Sequence, residues 1–233
     1  MIKLVALMCT PVVSLLFKHL EHLENLECGM SFSLKFGGFI LDGKFKIEVS
    51  ARHVHLNREA IDILFGKGHE LQQKKALSQP GQFACLERVV VVGPKSKIEN
   101  VSVLGPERNE VQVEVSATDA RALGIKTFIC ESGHLESTPG CELVGPCGSL
   151  KLTRGLIVAK RHIHASVDDA RRLGVVDGQQ VWVKVLSKQR QLIFGDVVVR
   201  VSNSYALAMH IDTDEANAAC CGAETFGEVF QIN

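Results

Sequence analysis

An internal repeat constrains the fold more than any other feature of this sequence. The pattern Arg-His-x-His occurs at Arg52–His55 and again at Arg161–His164. Each copy follows an apolar run that reads as a strand and precedes the start of a helix. A pattern repeated in matching surroundings indicates two homologous halves. The chain is therefore predicted to build one structural unit twice.

Short helices repeat together with the histidine pattern. Residues 116–124 and 166–174 match almost position for position. Each segment begins with Ser, carries Asp three positions later and ends with Gly, which is the pattern of a capping box closed by a C-terminal glycine. Residues 57–66 resemble a longer form of this unit. We predict strand, short capped helix and strand in repeated order.

Strand patterns dominate most of the remaining chain. Alternation of polar and apolar residues at 44–49, 97–104 and 111–115 predicts half-buried strands. The apolar runs 89–92 and 197–199 predict strands that are covered on both faces. These segments are too short and too rich in glycine for a doubly wound sheet. The predicted fold is mainly β with short α-helices, arranged as two tandem, related β-barrels capped by helices.

Charge and cysteine usage exclude several classes of protein. The 233 residues include 26 Lys and Arg and 26 Asp and Glu, so the formal net charge is zero. A nucleic-acid-binding domain is usually basic, so nucleic acid is not an expected partner. The eight cysteines form no Cys-x-x-Cys pair. This pattern argues against a zinc ribbon and a disulfide framework, and it predicts a reducing, cytoplasmic location.

The first 43 residues differ from the rest and are predicted to form a helical extension. Residues 1–17 are apolar but contain Pro11, and they are shorter than a membrane-spanning helix. No membrane span is expected. Five leucines then recur at helical spacing opposite charged residues, namely Leu15, Leu16, Leu20, Leu23 and Leu26. This amphipathic stripe fits a helix that packs on the body or one that docks on a partner.

The two histidine pairs are the strongest candidates for chemistry. Alternate side chains of a strand point to the same face, so the two imidazoles of each pair can converge on one ion. A catalytic zinc takes a third protein ligand and keeps its fourth position open. Glu114 and His210 lie where strands run into helices. From the residues alone, each of them fits a solvated or hydrogen-bonded side chain at least as well as a ligand.

Five ordered motifs resemble the phosphate propanoyltransferase family, the phosphotransacylases of propanediol-utilising bacterial microcompartments. The motifs lie between residues 44 and 220 and are Ser50–His55, Leu77–Ala84, Leu104–Pro106, Arg161–His164 and Met209–Asn217. The resemblance implies an enzyme that converts acyl-coenzyme A (acyl-CoA) and inorganic phosphate into acyl phosphate and CoA. Propanoyl-CoA is the expected acyl donor.

The family resemblance also implies an architecture and a location. It implies one barrel from residues 44–51 together with 156–233, a second barrel from 52–155, and a homodimer. Residues 1–43 take the place of the extension that directs family members to the microcompartment lumen. Shell or cargo proteins of the microcompartment are therefore expected partners of this segment.

Site residues are likewise implied by the resemblance. It implies two divalent metal ions, expected to be zinc, in two sites formed by His53, His55 and Glu114 and by His162, His164 and His210. It implies that Arg108 handles phosphate. It implies a CoA groove lined by Ser50, Lys75, Leu104, His210 and Asn217. Ser102 departs from the family pattern, which has a basic residue there, so one contact to the nucleotide portion of CoA is expected to be missing.

Two alternative functions would use the same histidines. A dinuclear zinc hydrolase of thioesters or phosphate esters would use water as the nucleophile and would not need phosphate as a substrate. A non-catalytic metal-binding module that interacts with a microcompartment shell would bind metal without turnover, and it would give Arg108 no special role.

Overall fold

The computed structural model describes residues 43–230, and residues 1–42 and 231–233 lie outside the described part. The helical extension predicted for residues 1–43 therefore lies outside it, apart from Gly43. The described residues form fifteen strands and four short helices. This composition confirms the predicted fold class of mainly β structure with short helices. None of the described helices is long and apolar enough to cross a membrane.

The elements follow one another in short segments. The strands are β1 (Lys44–Val49), β2 (His53–His55), β3 (Gln73–Ala76), β4 (Phe83–Val92), β5 (Lys97–Gly105), β6 (Gln112–Glu114), β7 (Ile129–Cys130), β8 (Glu142–Val144), β9 (Ser149–Lys151), β10 (Leu156–Ala159), β11 (His162–Ala165), β12 (Gln180–Val185), β13 (Leu192–Val201), β14 (Ala208–Ile211) and β15 (Phe226–Phe230). The helices are α1 (Arg58–Phe65), α2 (Ala117–Leu123), α3 (Val167–Leu173) and α4 (Thr213–Ala218).

Six strands close a barrel in the order β1-β14-β11-β13-β12-β15. β1 comes from the start of the described chain, yet it pairs in parallel with β14 and antiparallel with β15. The barrel interior is filled by apolar side chains that are at most 2% exposed, among them Ile47, Ile163, Val183, Val199 and Met209. Because alternate residues of each strand face inward, this interior is a packed core and not a channel.

The other nine strands form a curled, open sheet in the order β7-β10-β6-β2-β5-β4-β8-β9, with β3 paired to β4. The predicted second barrel is thus a half-barrel that stays open within residues 43–230. Its two end strands, β7 and β9, have only two and three residues, so they offer few hydrogen bonds for closure. Helix α1 lies beside the β8–β9 turn, where the Cys147 N–H donates to the Leu64 carbonyl at 3.0 Å.

Strand β10 belongs to the open sheet. It pairs with β6 and β7, so the open sheet includes residues beyond 155, the last residue of the predicted second barrel. The exact domain boundaries stay a prediction.

The repeated helices α2 and α3 have the same caps. Ser116 and Ser166 accept hydrogen bonds from backbone N–H groups three residues later at 3.2 and 3.1 Å, and Asp side chains complete the capping boxes. The helices end at Gly124 and Gly174, whose φ angles are +79° and +65°. Glycine adopts this left-handed conformation without strain, so it ends the helix at low cost. The predicted helix repeat is confirmed.

Candidate functional site

The histidine pairs lie on equivalent central strands of the two halves. β2 lies between β5 and β6, and β11 lies between β13 and β14. The antiparallel neighbour places Glu114 opposite His53 in one half and His210 opposite His162 in the other. The same register therefore supplies a third side chain to each pair. We name His53, His55 and Glu114 the first cluster, and His162, His164 and His210 the second cluster.

The first cluster is compact and buried. The two imidazole centroids are 4.9 Å apart, with the rings nearly perpendicular at 87°. The Glu114 carboxylate reaches both rings, with Oε2 at 3.5 Å from His53 Nε2 and Oε1 at 3.8 Å from His55 Nε2. One potential ligand atom from each of the three residues lies within 4.8 Å of the other two. This spacing suits a single metal ion held by three protein ligands.

The protonation states of the first cluster favour binding of a cation. Burial lowers the pKa of His53, but the charge and hydrogen bond of Glu114 outweigh burial, so the pKa is raised overall. Burial and the neighbouring positive charges of His53 and Arg108 lower the pKa of His55 to about 3. Burial raises the pKa of Glu114, but the neighbouring histidines outweigh it and lower the pKa overall. At neutral pH the cluster offers a carboxylate and a neutral His55 imidazole, which are metal ligands.

A buried hydrogen-bond network orients the Glu114 carboxylate. The Gln112 amide nitrogen donates to Glu114 Oε1 at 2.5 Å and to Ser132 Oγ at 2.7 Å. The Gln112 amide oxygen accepts from the Gly133 N–H at 2.8 Å. All of these partners belong to the open sheet or its loops. Groups that orient a ligand in this way are a usual feature of metal sites.

The second cluster consists of three imidazoles. Its ring centroids are 4.7 Å apart for His162 and His164, 5.3 Å for His162 and His210, and 4.9 Å for His164 and His210. Burial lowers the pKa of His162. Burial and neighbouring positive charges lower the pKa of His164 to about 2 and that of His210 to about 3. The imidazoles are therefore neutral at pH 7, which is the form that binds metal.

Two ring nitrogens support the fit of a cation to these clusters. In the described part of the chain, His55 Nδ1 and His164 Nδ1 are buried without a hydrogen-bond partner. The two residues occupy the same position in the repeat, and a buried polar atom without a partner is costly. Coordination of a cation through that nitrogen itself would offset the cost. In the first cluster the ligand atoms of two imidazoles and a carboxylate are close enough for one divalent ion. The three imidazoles of the second cluster are also donors that such an ion binds.

Both clusters face one cavity of about 860 Å³ that is lined by residues of the barrel and of the open sheet. Besides His210, four of the residues implied in substrate binding line the same cavity, namely Ser50, Lys75, Leu104 and Arg108. Ser102 also lines it and lies opposite His53 in the β2–β5 pair. The structure therefore brings these residues and the two clusters together.

Asn217 lies elsewhere. It lines a second cavity of about 410 Å³. The two cavities share Val49, Arg52 and Cys221 in their walls. Asn217 is therefore next to the main cavity but does not line it.

Arg108 carries positive charge into the main cavity. It follows β5 and is anchored by its backbone N–H, which donates to the Leu56 carbonyl at 2.8 Å. Burial lowers the pKa of its guanidinium, Glu114 opposes this effect and Arg200 adds to it. A guanidinium stays protonated at physiological pH even so. Arg200 lines the same cavity, and the guanidinium groups of Arg108 and Arg200 favour an anionic ligand there.

Several residues around these clusters were not predicted from the sequence, including Gln79, Gln112, Ser132, Arg200 and Tyr205. For Arg200 the sequence did contain a signal, its position directly after the apolar run 197–199. In the structure it lies opposite His164 in the β11–β13 pair. Gln79 belongs to one of the five motifs, Leu77–Ala84, but nothing in the sequence shows what it contacts.

A repeat-built β fold with a histidine cluster from each half, both facing one basic cavity, defines a class of protein with a closed barrel, a related open sheet and a site between these two halves. Residues 46–222 match the family model described as phosphate propanoyltransferase. Relatives with that name are 55% identical over 181 residues in Leptotrichia buccalis, covering 78% of this chain and 84% of the relative, and 56% identical over 178 residues in Enterococcus faecalis, covering 76% and 83%. A Thermotoga maritima relative of the same name is 54% identical over 173 residues, covering 74% of this chain and 82% of its own.

The chain belongs to the phosphate propanoyltransferase family, whose members are acyltransferases. The predicted family and enzyme class are confirmed.

Proposed function

We propose that this enzyme transfers a short acyl group, propanoyl above all, between CoA and inorganic phosphate. Family membership supports the acyl transfer. The main structural support for the proposal is that Arg108 and both histidine clusters face the same cavity. An arginine beside two groups of metal-ligating side chains suits a reaction that brings anionic phosphate to a thioester.

The proposed reaction does not require a strong general base in the protein. Phosphate is already a nucleophile near neutral pH, so a phosphate oxygen can attack the thioester carbonyl without a strong general base. The carbon–sulfur bond then breaks, and CoA leaves as a thiolate that takes a proton from solvent. The protein must hold two anions close together. Arg108 can hold phosphate through its planar fork, and the positive charge of Arg200 reduces the repulsion.

Two divalent metal ions, most simply zinc, are part of the proposal. One would be held by the first cluster and one by the second, each with three protein ligands. A divalent ion bound in such a site supplies Lewis acidity that can polarise a carbonyl or stabilise a leaving thiolate. The burial of both clusters, the neutral state of His55 and of the second-cluster imidazoles, and the two unpaired ring nitrogens support this part.

The proposed CoA groove runs across both cavities. Ser50, Lys75, Leu104 and His210 line the main cavity, and Asn217 lines the adjoining one. Because the two cavities share wall residues, an elongated ligand could contact both. Lys75 would bind a phosphate of CoA as a point charge.

A homodimer and a position in the lumen of a bacterial microcompartment complete the proposal. The second of these depends on residues 1–43, which precede the family match at residue 46. This segment would bind shell or cargo proteins through its leucine stripe.

The test of the reaction is release of free thiol from propanoyl-CoA with and without phosphate. We expect release to depend on phosphate and to saturate with it. Rapid release without phosphate would indicate a hydrolase instead. Metal binding without any release would indicate a non-catalytic module.

A further inference from the structure

One side chain of the open sheet is hydrogen-bonded to the closed barrel beside the second cluster. Gln79 lies in the turn between β3 and β4 and is only 4% exposed. Its amide nitrogen donates to the Ala206 carbonyl at 2.9 Å, and its amide oxygen accepts from the Ala206 N–H at 3.2 Å. The side chain thus satisfies both backbone polar groups of Ala206, as a neighbouring strand would.

The residues around Ala206 contact the second cluster directly. Tyr205 closes a turn by donating its N–H to the Ser202 carbonyl at 3.0 Å. The Tyr205 ring packs against His164, with centroids 4.2 Å apart and the rings tilted by 34°. Strand β14 begins two residues after Ala206 and carries His210. We name residues 202–210 the bridging segment.

The direction of the Gln79 amide is determined by its partners. Ala206 offers one donor and one acceptor, so a flipped amide would place like groups together. The amide nitrogen then lies 3.5 Å from His210 Nε2, a long contact in which the ring nitrogen can only accept. On the other side of the ring, His210 Nδ1 is 4.0 Å from the Glu48 carboxylate, which accepts a hydrogen bond from Ser78 in the same turn as Gln79.

The two clusters are supported differently. Gln112 and Ser132, which orient Glu114 in the first cluster, belong to the same half as that cluster. Gln79 belongs to the opposite half from the second cluster. The open sheet therefore contributes to the arrangement of histidines that all come from the barrel.

We propose that Gln79 is a positioning residue: it holds the bridging segment in place across the two halves, and thereby keeps Tyr205 against His164 and His210 within the second cluster. The consequence for turnover rests on the function proposed above, whereas the structural role does not. Loss of the two hydrogen bonds would release Ala206 and allow the Tyr205 ring to leave His164.

Tyr205 is the chain's sole tyrosine, so it is a specific probe of the bridging segment. Full-length protein with ¹³C-labelled tyrosine gives one set of aromatic NMR signals, recorded on metal-free protein without substrate. Gln79→Met keeps the side-chain volume but removes both hydrogen bonds. Its Tyr205 signals should move towards those of a solvent-exposed tyrosine, because the ring loses its contact with His164.

The control is Gln73→Ala, since Gln73 lies exposed in the same hairpin, and it should leave the Tyr205 signals in place. Gln79→Glu keeps the bond from the Ala206 N–H and should shift the signals in the same direction by a smaller amount. Tyr205 signals at the wild-type position in Gln79→Met overturn the proposal. If Gln79→Met does not fold by circular dichroism, the same criterion applies to Gln79→Glu.

Steady-state kinetics distinguish a positioning role of Gln79 from a general loss of protein stability. In Gln79→Met, kcat should fall by about tenfold or more, because small misplacement of reacting groups is costly, whereas the KM for phosphate should change little. An unchanged kcat overturns the proposal. Absence of phosphate-dependent turnover in the wild type would refute the proposed function and leave the NMR test of Gln79 valid.

Discussion

The proposed binding of phosphate depends on Arg108 more than on any other residue. Its guanidinium enters the cavity that both clusters face, and its backbone is fixed by the hydrogen bond to Leu56. A lysine at this position would keep the charge but lose the planar fork that binds two phosphate oxygens at once. Charge and geometry can therefore be separated by one substitution.

We predict that Arg108→Lys lowers kcat/KM for phosphate by about tenfold or more, and that the KM for propanoyl-CoA changes little. The measurement is a phosphate saturation curve at fixed propanoyl-CoA. Arg154→Lys is the matched control, because Arg154 is exposed and pairs with Glu110 at the surface. A normal phosphate curve for Arg108→Ala would remove Arg108 from the site.

The lowered pKa values of the buried imidazoles lead to a prediction for the stability of the metal-free protein. The folded-state pKa values of His55, His164 and His210 lie near 3, 2 and 3, below the ordinary value of 6.5. As the pH falls below 6.5, the unfolded chain binds protons that the folded chain does not. Stability is therefore lost on acidification, by up to about 1.4 kcal/mol per pH unit for each histidine.

Urea unfolding of metal-free protein between pH 7.5 and 5 measures this loss. His164→Asn removes one of the three groups, so its free energy of unfolding should fall less steeply with decreasing pH than that of the wild type. Equal slopes for the two proteins would contradict the neutral, buried state of His164.

Among the elements, the register of four strands explains why the two clusters have three members each. His53 faces Glu114 across β2 and β6, and His162 faces His210 across β11 and β14. The two sites are thus products of one repeated arrangement. Each should bind its own metal ion, and a substitution in one should leave the other occupied.

We predict about two divalent ions per chain in protein purified without added metal. His53→Ala and His162→Ala should each lower the content to about one, because each removes one of three ligands. Elemental analysis of the purified proteins is the measurement, with the exposed loop residue His134 as the His134→Ala control. Full activity in the presence of a chelator, together with no bound metal, would contradict the metal assignments.

Local patterns predicted the elements well. The Ser, Asp and Gly of the repeated helices determine their own caps and ends, and alternation predicted β1 at 44–49, because these signals act within a few residues. The two-sided burial expected for 89–92 was wrong in part, since Val90 and Val92 are half-buried. The open form of the second sheet and the contact of Gln79 with Ala206 could not be predicted, because each depends on residues that are distant in sequence.

For the whole molecule, the cavity lies where the barrel and the open sheet meet, so both halves are needed to form it. The third members of the clusters could be selected from the sequence only through the family resemblance, since Glu114 and His210 have no local signature. Residues 1–43 precede the family match, and the proposed role of this segment in shell binding is separate from catalysis.

We predict that residues 1–43 fused to a fluorescent protein direct it to microcompartment shells, because the leucine stripe would bind a partner helix. Co-sedimentation of the fusion with purified shells is the measurement. Substitution of Leu20 and Leu23 by Glu in the fusion is the control, and it should abolish co-sedimentation. A fusion that never sediments with shells would refute the targeting role.

The products of the reaction distinguish acyl transfer to phosphate from hydrolysis of the thioester. Full-length enzyme, propanoyl-CoA and phosphate are incubated together, free thiol is measured, and phosphorus NMR follows the phosphate. We predict that one acyl phosphate forms for each thiol released, with phosphate consumed in equal amount. Release of thiol with propanoate as the product and with phosphate unchanged would contradict it.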